Sequence, residues 1–468
     1  NGIRGGSATV HFPIWHQEIS DILVLKNNKG TEDNRVRKLD YSIQLSKLFY
    51  ERFIENKEIS LFSPHDCPNL YESFGTDKFD DLYCGYESDE SIPRTTIGAQ
   101  ELILDLLKER AETGRIYIMN IDHCNSHSSF KDKVSMSNLC QEITLPTLPI
   151  SHIDDHLGEI ALCILSAVNV GKINSDKELE ELCDLSVRGL EELIDYQRYP
   201  VKAAELATKA RRSLGVGFIG LAHYLAKLGY KYESQESWDA VHGLAESFQY
   251  YLLKASNEVA KEKGHCENFG RTKYADGILP IDTYKKDVDE ICSQPLAHDW
   301  ESLRASINEF GLRHSTLSAQ MPSESSSVVC NATNGIEPPR DYLSVKKSKK
   351  GPLKQIVPSY GSLKNNYTLL WDMPSNEGYI NIVAVMQKFF DQAISGNWSY
   401  NPVHFDNAEV PVSVMAQDLL TTYKYGWKTS YYQNTNDMKT DEVEEPNLEN
   451  LLSELENAKE EECESCAI

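Results

Sequence analysis

An amide, a thiol and a carboxylate alternate along VSMSNLCQEITLP (134–146), as Asn138, Cys140 and Glu142. In an extended segment, side chains two residues apart share a face. The spacing therefore predicts three reactive groups on one side of one strand or loop. A carboxylate within hydrogen-bond reach serves as a general base, and an amide orients neutral hydroxyls without competing for their protons.

Other residue groupings carry possible chemistry. EECESCAI sets Cys463 and Cys466 in a C-x-x-C close to the last residue. A structural zinc site needs four ligands, and this acidic segment supplies two. A dithiol on a flexible acidic leash is better suited to swinging and exchanging disulfides. TSYYQNT holds the adjacent Tyr431 and Tyr432. Neighbours in a strand point to opposite faces, so local sequence alone gives them an ordinary core role.

GVGFIG (215–220) is a literal G-x-G-x-x-G. The dinucleotide fingerprint must follow a strand, whereas AAELATKARRSL before it reads as helical. The glycines are expected at a helix start or helix contact. DHCNSH (122–127) has two histidines and a cysteine, too few for a metal and its outer partners. Hydrogen-bonded loop residues are expected there, and no metal site is predicted. His152 and His156 lack the zincin glutamate between them and are expected in a solvated loop. Cys67, Cys84, Cys124, Cys183, Cys266, Cys292 and Cys330 read as small hydrophobes or idle thiols.

The elements that position these groups follow from periodicity. RKLDYSIQLSKLFYERFIE and GAQELILDLLKERAETG read as amphipathic helices, the second followed by the strand RIYIMNID. EIALCILSAVNV (159–170), which contains Cys163, reads as a buried strand. DKELEELCDLSVRGLEELIDY, VHGLAESFQYYLLKASNEVAKEKG and YINIVAVMQKFFDQAIS read as helices, and STLSAQMPSESSSVVCNATNGIEPP as a Ser/Asn/Pro-rich loop region. NGIRGGSAT opens the sequence as a glycine-rich turn. Strands alternating with helices predict an α/β architecture.

Composition sets the bounds. The chain has 468 residues, 40% hydrophobic and 25% charged, enough for one large domain or two to three smaller ones. Its formal charge of −24, concentrated partly in the last residues, argues against nucleic acid as a partner. No stretch is apolar enough to span a bilayer. The eleven scattered cysteines without a secretory start predict reduced thiols and a cytoplasmic setting. The sequons at Asn331, Asn366 and Asn397 are then chance matches. From about Asn436 the pattern gives way to an acidic tail (436–468) expected to be mobile.

NLCQE, GEIALCILSAVN, WESLRASINEFGLRHSTLSAQMP, MPSESSS, NATNGIEPPR, TSYYQNT and a terminal cysteine pair occur in this order. Together they resemble the large catalytic subunit of class I ribonucleotide reductase, over essentially the whole chain. The resemblance implies a ten-stranded α/β barrel, here residues 1–435, with a cysteine-tipped finger loop through its centre. Cys140 would carry a thiyl radical and take the 3′-hydrogen of a ribonucleoside diphosphate. Glu142 would take the 3′-hydroxyl proton, with Asn138 and Ser137 binding the ribose. Cys163 would be half of the redox pair, re-reduced by Cys463 and Cys466 and then by thioredoxin or glutaredoxin. Tyr431 and Tyr432 would relay the radical from a small subunit whose metal/tyrosyl cofactor generates it. No cofactor would be bound by this chain itself. Glu324, Ser325 and Ser326 would form the diphosphate-binding turn, and Arg4, Gly5 and Gly6 the specificity loop.

Measured against that family, the amino-terminal portion is expected to lie outside this sequence. That portion holds the first barrel strands, the other redox cysteine and the main effector site. A fragment and a naturally split subunit are both compatible with this, and in either case a homodimer of the completed subunit is expected. The adenosylcobalamin-dependent relative and a non-catalytic assembly subunit are the competing readings. The tyrosine pair argues against the first, and the intact Asn138/Cys140/Glu142 trio with the tail dithiol against the second.

Overall fold

The computed structural model describes residues 6–348 and 351–436, with side chains except at 346–348 and 351–353. Within it the strands are β1 (Thr9–Pro13), β2 (Asp40–Leu45), β3 (Glu58–Leu61), β4 (Thr95–Gly98), β5 (Ile116–Asn120), β6 (Ile164–Asn169), β7 (Leu214–Ile219), β8 (Leu343–Ser348), β9 (Gly351–Ile356), β10 (Gly396–Tyr400) and β11 (Thr429–Thr435).

A five-stranded sheet runs β1–β2–β5–β11–β10. The first three strands are parallel, β11 is antiparallel to β5, and β10 is parallel to β11. A second series begins with the parallel pair β6–β7. It continues through parallel bridges from Val216 to Ser318 and from Gln320 to Ile394. Ile394 lies just before β10, so the two series join there into one curved wall with helices outside it. Among the described residues, β1 pairs only with β2 and β6 only with β7, so these two strands end the wall. The architecture is α/β, as expected, with part of a barrel at its centre.

Most predicted elements form. The helices Ala99–Thr113, Asp176–Tyr196, Gln235–Lys263 and Glu377–Gln387 and the strand β5 lie where periodicity puts them. The last of these helices is shorter than expected, because FFDQAIS leaves it as an irregular segment. Asp176–Tyr196 starts at Ser175, whose hydroxyl accepts from the Glu178 amide and satisfies one first-turn donor.

Several local readings need correction. RKLDYSIQLSKLFYERFIE is not one helix: DYSIQL forms β2 and KLFYERFI forms the helix Lys47–Ile54. β2 is buried on both faces, as an inner parallel strand is. GVGFIG reaches a helix start only at Gly220, which caps the helix Leu221–Leu228 in a left-handed conformation; Leu214–Ile219 before it is a fully buried strand rather than a helix. A Cβ on Gly217 would meet the Ala319 carbonyl oxygen at 2.6 Å, so the glycines let the neighbouring 318–321 segment approach. DHCNSH is hydrogen-bonded as expected, but Ile121–Ser126 is helical rather than a loop. EIALCILSAVNV becomes strand only from Ile164, and both Leu162 before the strand and Leu165 on it are exposed. His152 and His156 lie in an exposed loop.

Candidate active site

The segment 134–146 passes inside the curved wall, and inward-facing polar side chains grip its backbone. Thr9 Oγ1 on β1 donates to the Leu139 carbonyl (3.0 Å), and His11 Nε2 bonds the Ser137 carbonyl (3.0 Å). From β2, Gln44 Nε2 donates to the Ser135 carbonyl (2.7 Å), and the Ser42 hydroxyl to Gln141 Oε1 (2.8 Å). From β11, Thr429 Oγ1 donates to the Gln141 carbonyl (2.9 Å). Burial holds His11 neutral, lowering its pKa to about 4.

The segment is a turn rather than an extended strand. Gln141 takes a left-handed conformation (φ 74°), and the Ile143 amide donates back to Asn138 Oδ1 at 3.1 Å. Simple alternation therefore fails, yet the turn still gathers the trio. The Asn138 amide and the Ser395 hydroxyl, the latter at 3.0 Å, donate to the Glu142 carboxylate. Ser395 Oγ also bonds the Cys140 carbonyl. Glu142 is only 2% exposed, and its burial raises the carboxyl above its ordinary value despite these donors.

Tyr431 Oη lies 3.3 Å from Cys140 Sγ. The Tyr431 and Tyr432 rings lie face to face with a tilt of 32°, their centroids 3.8 Å apart. Neighbours on a regular strand would not meet this way. The pairing Gly396 to Ser430 shifts to Trp398 to Gln433, so both tyrosines stand opposite the single residue Asn397. This is a β-bulge, which places consecutive side chains together. Asn397 Oδ1 accepts from the Tyr432 amide at 3.0 Å. Gly396 is obligatory beside the bulge: a Cβ there would lie 2.3 Å from the Trp427 ring. The buried Arg110 donates to the Tyr431 carbonyl at 2.7 Å and stacks over Trp398 at 4.5 Å.

Around the pair, Tyr117 packs 4.8 Å from Tyr431 and donates to Asp40 at 3.1 Å. Arg115 lies 4.9 Å over the Tyr432 ring. Burial, then hydrogen bonds to Cys140 and Tyr432, pushes the Tyr431 hydroxyl far above the ordinary phenol range. Tyr431 therefore stays protonated at neutral pH.

Cys163 is half-buried just before β6, and Gln392 Nε2 lies 3.6 Å from its sulfur. Burial raises this thiol well above the ordinary range, and Glu142 and Asp391 add to the effect. Glu324, Ser325 and Ser326 are exposed at the start of the helix Glu324–Val329, which follows Ser323. Glu324 lines a cleft with Glu337, Asn397 and Tyr432. Gly6 is exposed, with open space where a Cβ would sit. Arg4, Gly5, Cys463 and Cys466 lie outside the described residues. Cys124 is buried in its helix against the Lys428 carbonyl at 3.6 Å. Among the described residues, no group of three or more His, Cys, Asp or Glu side chains could hold a metal ion. Nor is any helix there long and apolar enough to cross a membrane.

Sequence reasoning missed Thr9, His11, Ser42, Gln44, Ser395 and Thr429. Two signals were present: Thr9/His11 and Ser42/Gln44 are polar residues at period 2 within strands. Ser395 and Thr429 had no local signal.

Comparison with known proteins gives the family. Residues 1–364 and 360–433 match the family model described as ribonucleotide reductase, barrel domain. The ribonucleoside-diphosphate reductase subunit alpha of Haemophilus influenzae is 58% identical over 449 residues, 95% of this chain and 59% of that protein. Ribonucleoside-diphosphate reductase 1 subunit alpha of Escherichia coli is 54% identical over 93% of this chain and 58% of its own length. The subunit alpha of Enterobacteria phage T4 is 43% identical over 100% of this chain and 61% of its own. The chain thus spans about three fifths of the length of these relatives. On the strength of the barrel-domain match across nearly all of its length, the chain belongs to the ribonucleotide reductase family.

Proposed function

We propose that the chain forms the catalytic part of a class I ribonucleoside-diphosphate reductase large subunit, converting ribonucleoside diphosphates to 2′-deoxyribonucleoside diphosphates. The observation that carries this reading is the 3.3 Å approach of Tyr431 Oη to Cys140 Sγ, with the Tyr432 ring 3.8 Å behind it. A radical arriving at Tyr432 from a small subunit passes to Tyr431. The Tyr431 phenoxyl oxygen then takes the hydrogen atom from the Cys140 thiol, restoring the phenol and leaving a thiyl radical.

The thiyl radical removes the 3′-hydrogen of the substrate, and Glu142 accepts the 3′-hydroxyl proton. The raised pKa of Glu142 suits a group that must also return a proton. Asn138 and Ser137 orient the ribose, and the backbone amides around Glu324–Ser326 receive the diphosphate. The 2′-hydroxyl leaves as water while Cys163 and a second thiol outside this sequence supply two electrons and two protons and become a disulfide, and Cys140 returns the hydrogen atom to the 3′ carbon. Cys463 and Cys466 reduce that disulfide and are themselves reduced by thioredoxin or glutaredoxin. Arg4, Gly5 and Gly6 read the effector state in the completed homodimer. The chain needs no metal of its own, because the radical comes from the small subunit.

The test is product formation by the completed subunit. Deoxynucleotide should appear with the radical-generating small subunit and a dithiol, and none with adenosylcobalamin in place of the small subunit. Activity with adenosylcobalamin alone would assign the chain to the cobalamin-dependent class and overturn the relay.

A further inference from the structure

Gln392 is fully buried in the irregular segment after the helix Glu377–Gln387. Its side-chain amide spans two elements: Nε2 donates to the Leu214 carbonyl of β7 at 2.9 Å and to Cys163 Sγ at 3.6 Å. A carbonyl only accepts, so Leu214 fixes which end of the amide faces the sulfur. The backbone of Gln392 is equally constrained. Its amide donates to the Ser318 carbonyl at 3.1 Å, and its carbonyl accepts from Lys428 Nζ (2.8 Å) and Gln387 Nε2 (2.9 Å).

β7 also bounds the sulfur. A Cβ on Gly215 would lie 2.9 Å from Cys163 Sγ and 2.6 Å from Leu165 Cδ2. The first glycine of GVGFIG therefore leaves the space that the thiol fills. Within three residues of Gln392 the same segment reaches the finger: the Ala393 amide donates to the Glu142 carbonyl at 3.0 Å, and Ser395 bonds Glu142 and Cys140. One rigid segment thus sets Cys163 and the Cys140 turn relative to each other.

The geometry points to Gln392 as the positioning residue of Cys163, its amide holding the sulfur over Gly215 and donating an N–H to the thiolate. The inference rests on the proposed redox role of Cys163, since the thiolate is the reacting form in disulfide exchange. The charged groups acting on that sulfur are Glu142 on the finger and Asp391 beside Gln392, both of which disfavour the thiolate. The Gln392 N–H opposes them.

The experiment measures alkylation of Cys163 by iodoacetamide against pH in the completed, reduced subunit, read by mass spectrometry of its peptide. Gln392→Met keeps the length without the donor, and Gln392→Leu is the second variant. Each should slow Cys163 alkylation about tenfold at a given pH below the midpoint, the loss expected for one hydrogen bond to a charged group. The exposed Cys84 serves as internal reference and should be unchanged. Profiles identical to wild type, in either variant with Cys84 reacting normally, would overturn the assignment. Failure of the redox reading shows separately, as turnover that survives Cys163→Ser.

Discussion

Tyr431→Phe separates chemistry from packing. The substitution keeps a ring that lies 3.8 Å from Tyr432 and 4.8 Å from Tyr117, in a residue 3% exposed. It deletes one hydroxyl, whose partners are the Cys140 sulfur at 3.3 Å and, on the exposed side, the Tyr432 hydroxyl, which water can replace. Sulfur is a weak acceptor, so the loss should cost no more than ~1 kcal/mol. For a chain of this size that is a fall in melting temperature of at most ~2 °C. Activity should nevertheless drop to background, because a phenyl ring has no O–H through which a hydrogen atom can pass. The assay pairs thermal unfolding with deoxynucleotide formation in the completed subunit with its small subunit. A variant of near wild-type stability that retains turnover within tenfold would refute the relay and return Tyr431 to a core role.

Glu142→Gln should abolish turnover and leave melting temperature unchanged or slightly higher. Burial raises the Glu142 carboxyl above 4.5, so stability is lost as pH rises through the folded value, and an uncharged amide removes that cost. The acid limb of the wild-type pH–activity profile should accordingly fall above pH 4.5. Glu191→Gln should destabilise by about 3–5 kcal/mol, since it leaves Arg212, Arg313 and His314 around a buried group without its charge. Burial works against the Glu191 carboxylate, but these hydrogen bonds hold it well below 4.5; its stabilisation is complete above that pH and is lost as pH falls. Equilibrium denaturation at several pH values checks both the size and the sign. Cys463→Ser or Cys466→Ser should block repeated turnover with thioredoxin while sparing the first; loss of the first turnover would end the shuttle role.

What was legible in the sequence follows physical scale. Long helices such as Asp176–Tyr196 announce themselves, because an amphipathic stripe and its cap are local properties. The finger trio was legible as residue types, since Asn138, Cys140 and Glu142 stand close together in the chain. Its conformation was not, because the left-handed Gln141 depends on Ser42 and Thr429 from distant strands. β2 was lost against the helical spacing of LFYERFI that follows it. The close approach of the Tyr431 and Tyr432 rings was illegible in TSYYQNT, because the bulge exists only in register with β10. Gly215 read as helix punctuation until the sulfur of Cys163 supplied its reason.

Cys140→Ser tests most directly whether Cys140 carries the radical. The alcohol O–H bond is too strong to give an equivalent radical, while the hydroxyl is small enough for the site of the thiol. Assembly with the small subunit, followed by size-exclusion chromatography, should be unchanged. Reduction of ribonucleoside diphosphate by the assembled enzyme should fall to background. Turnover within tenfold of wild type would contradict the assignment.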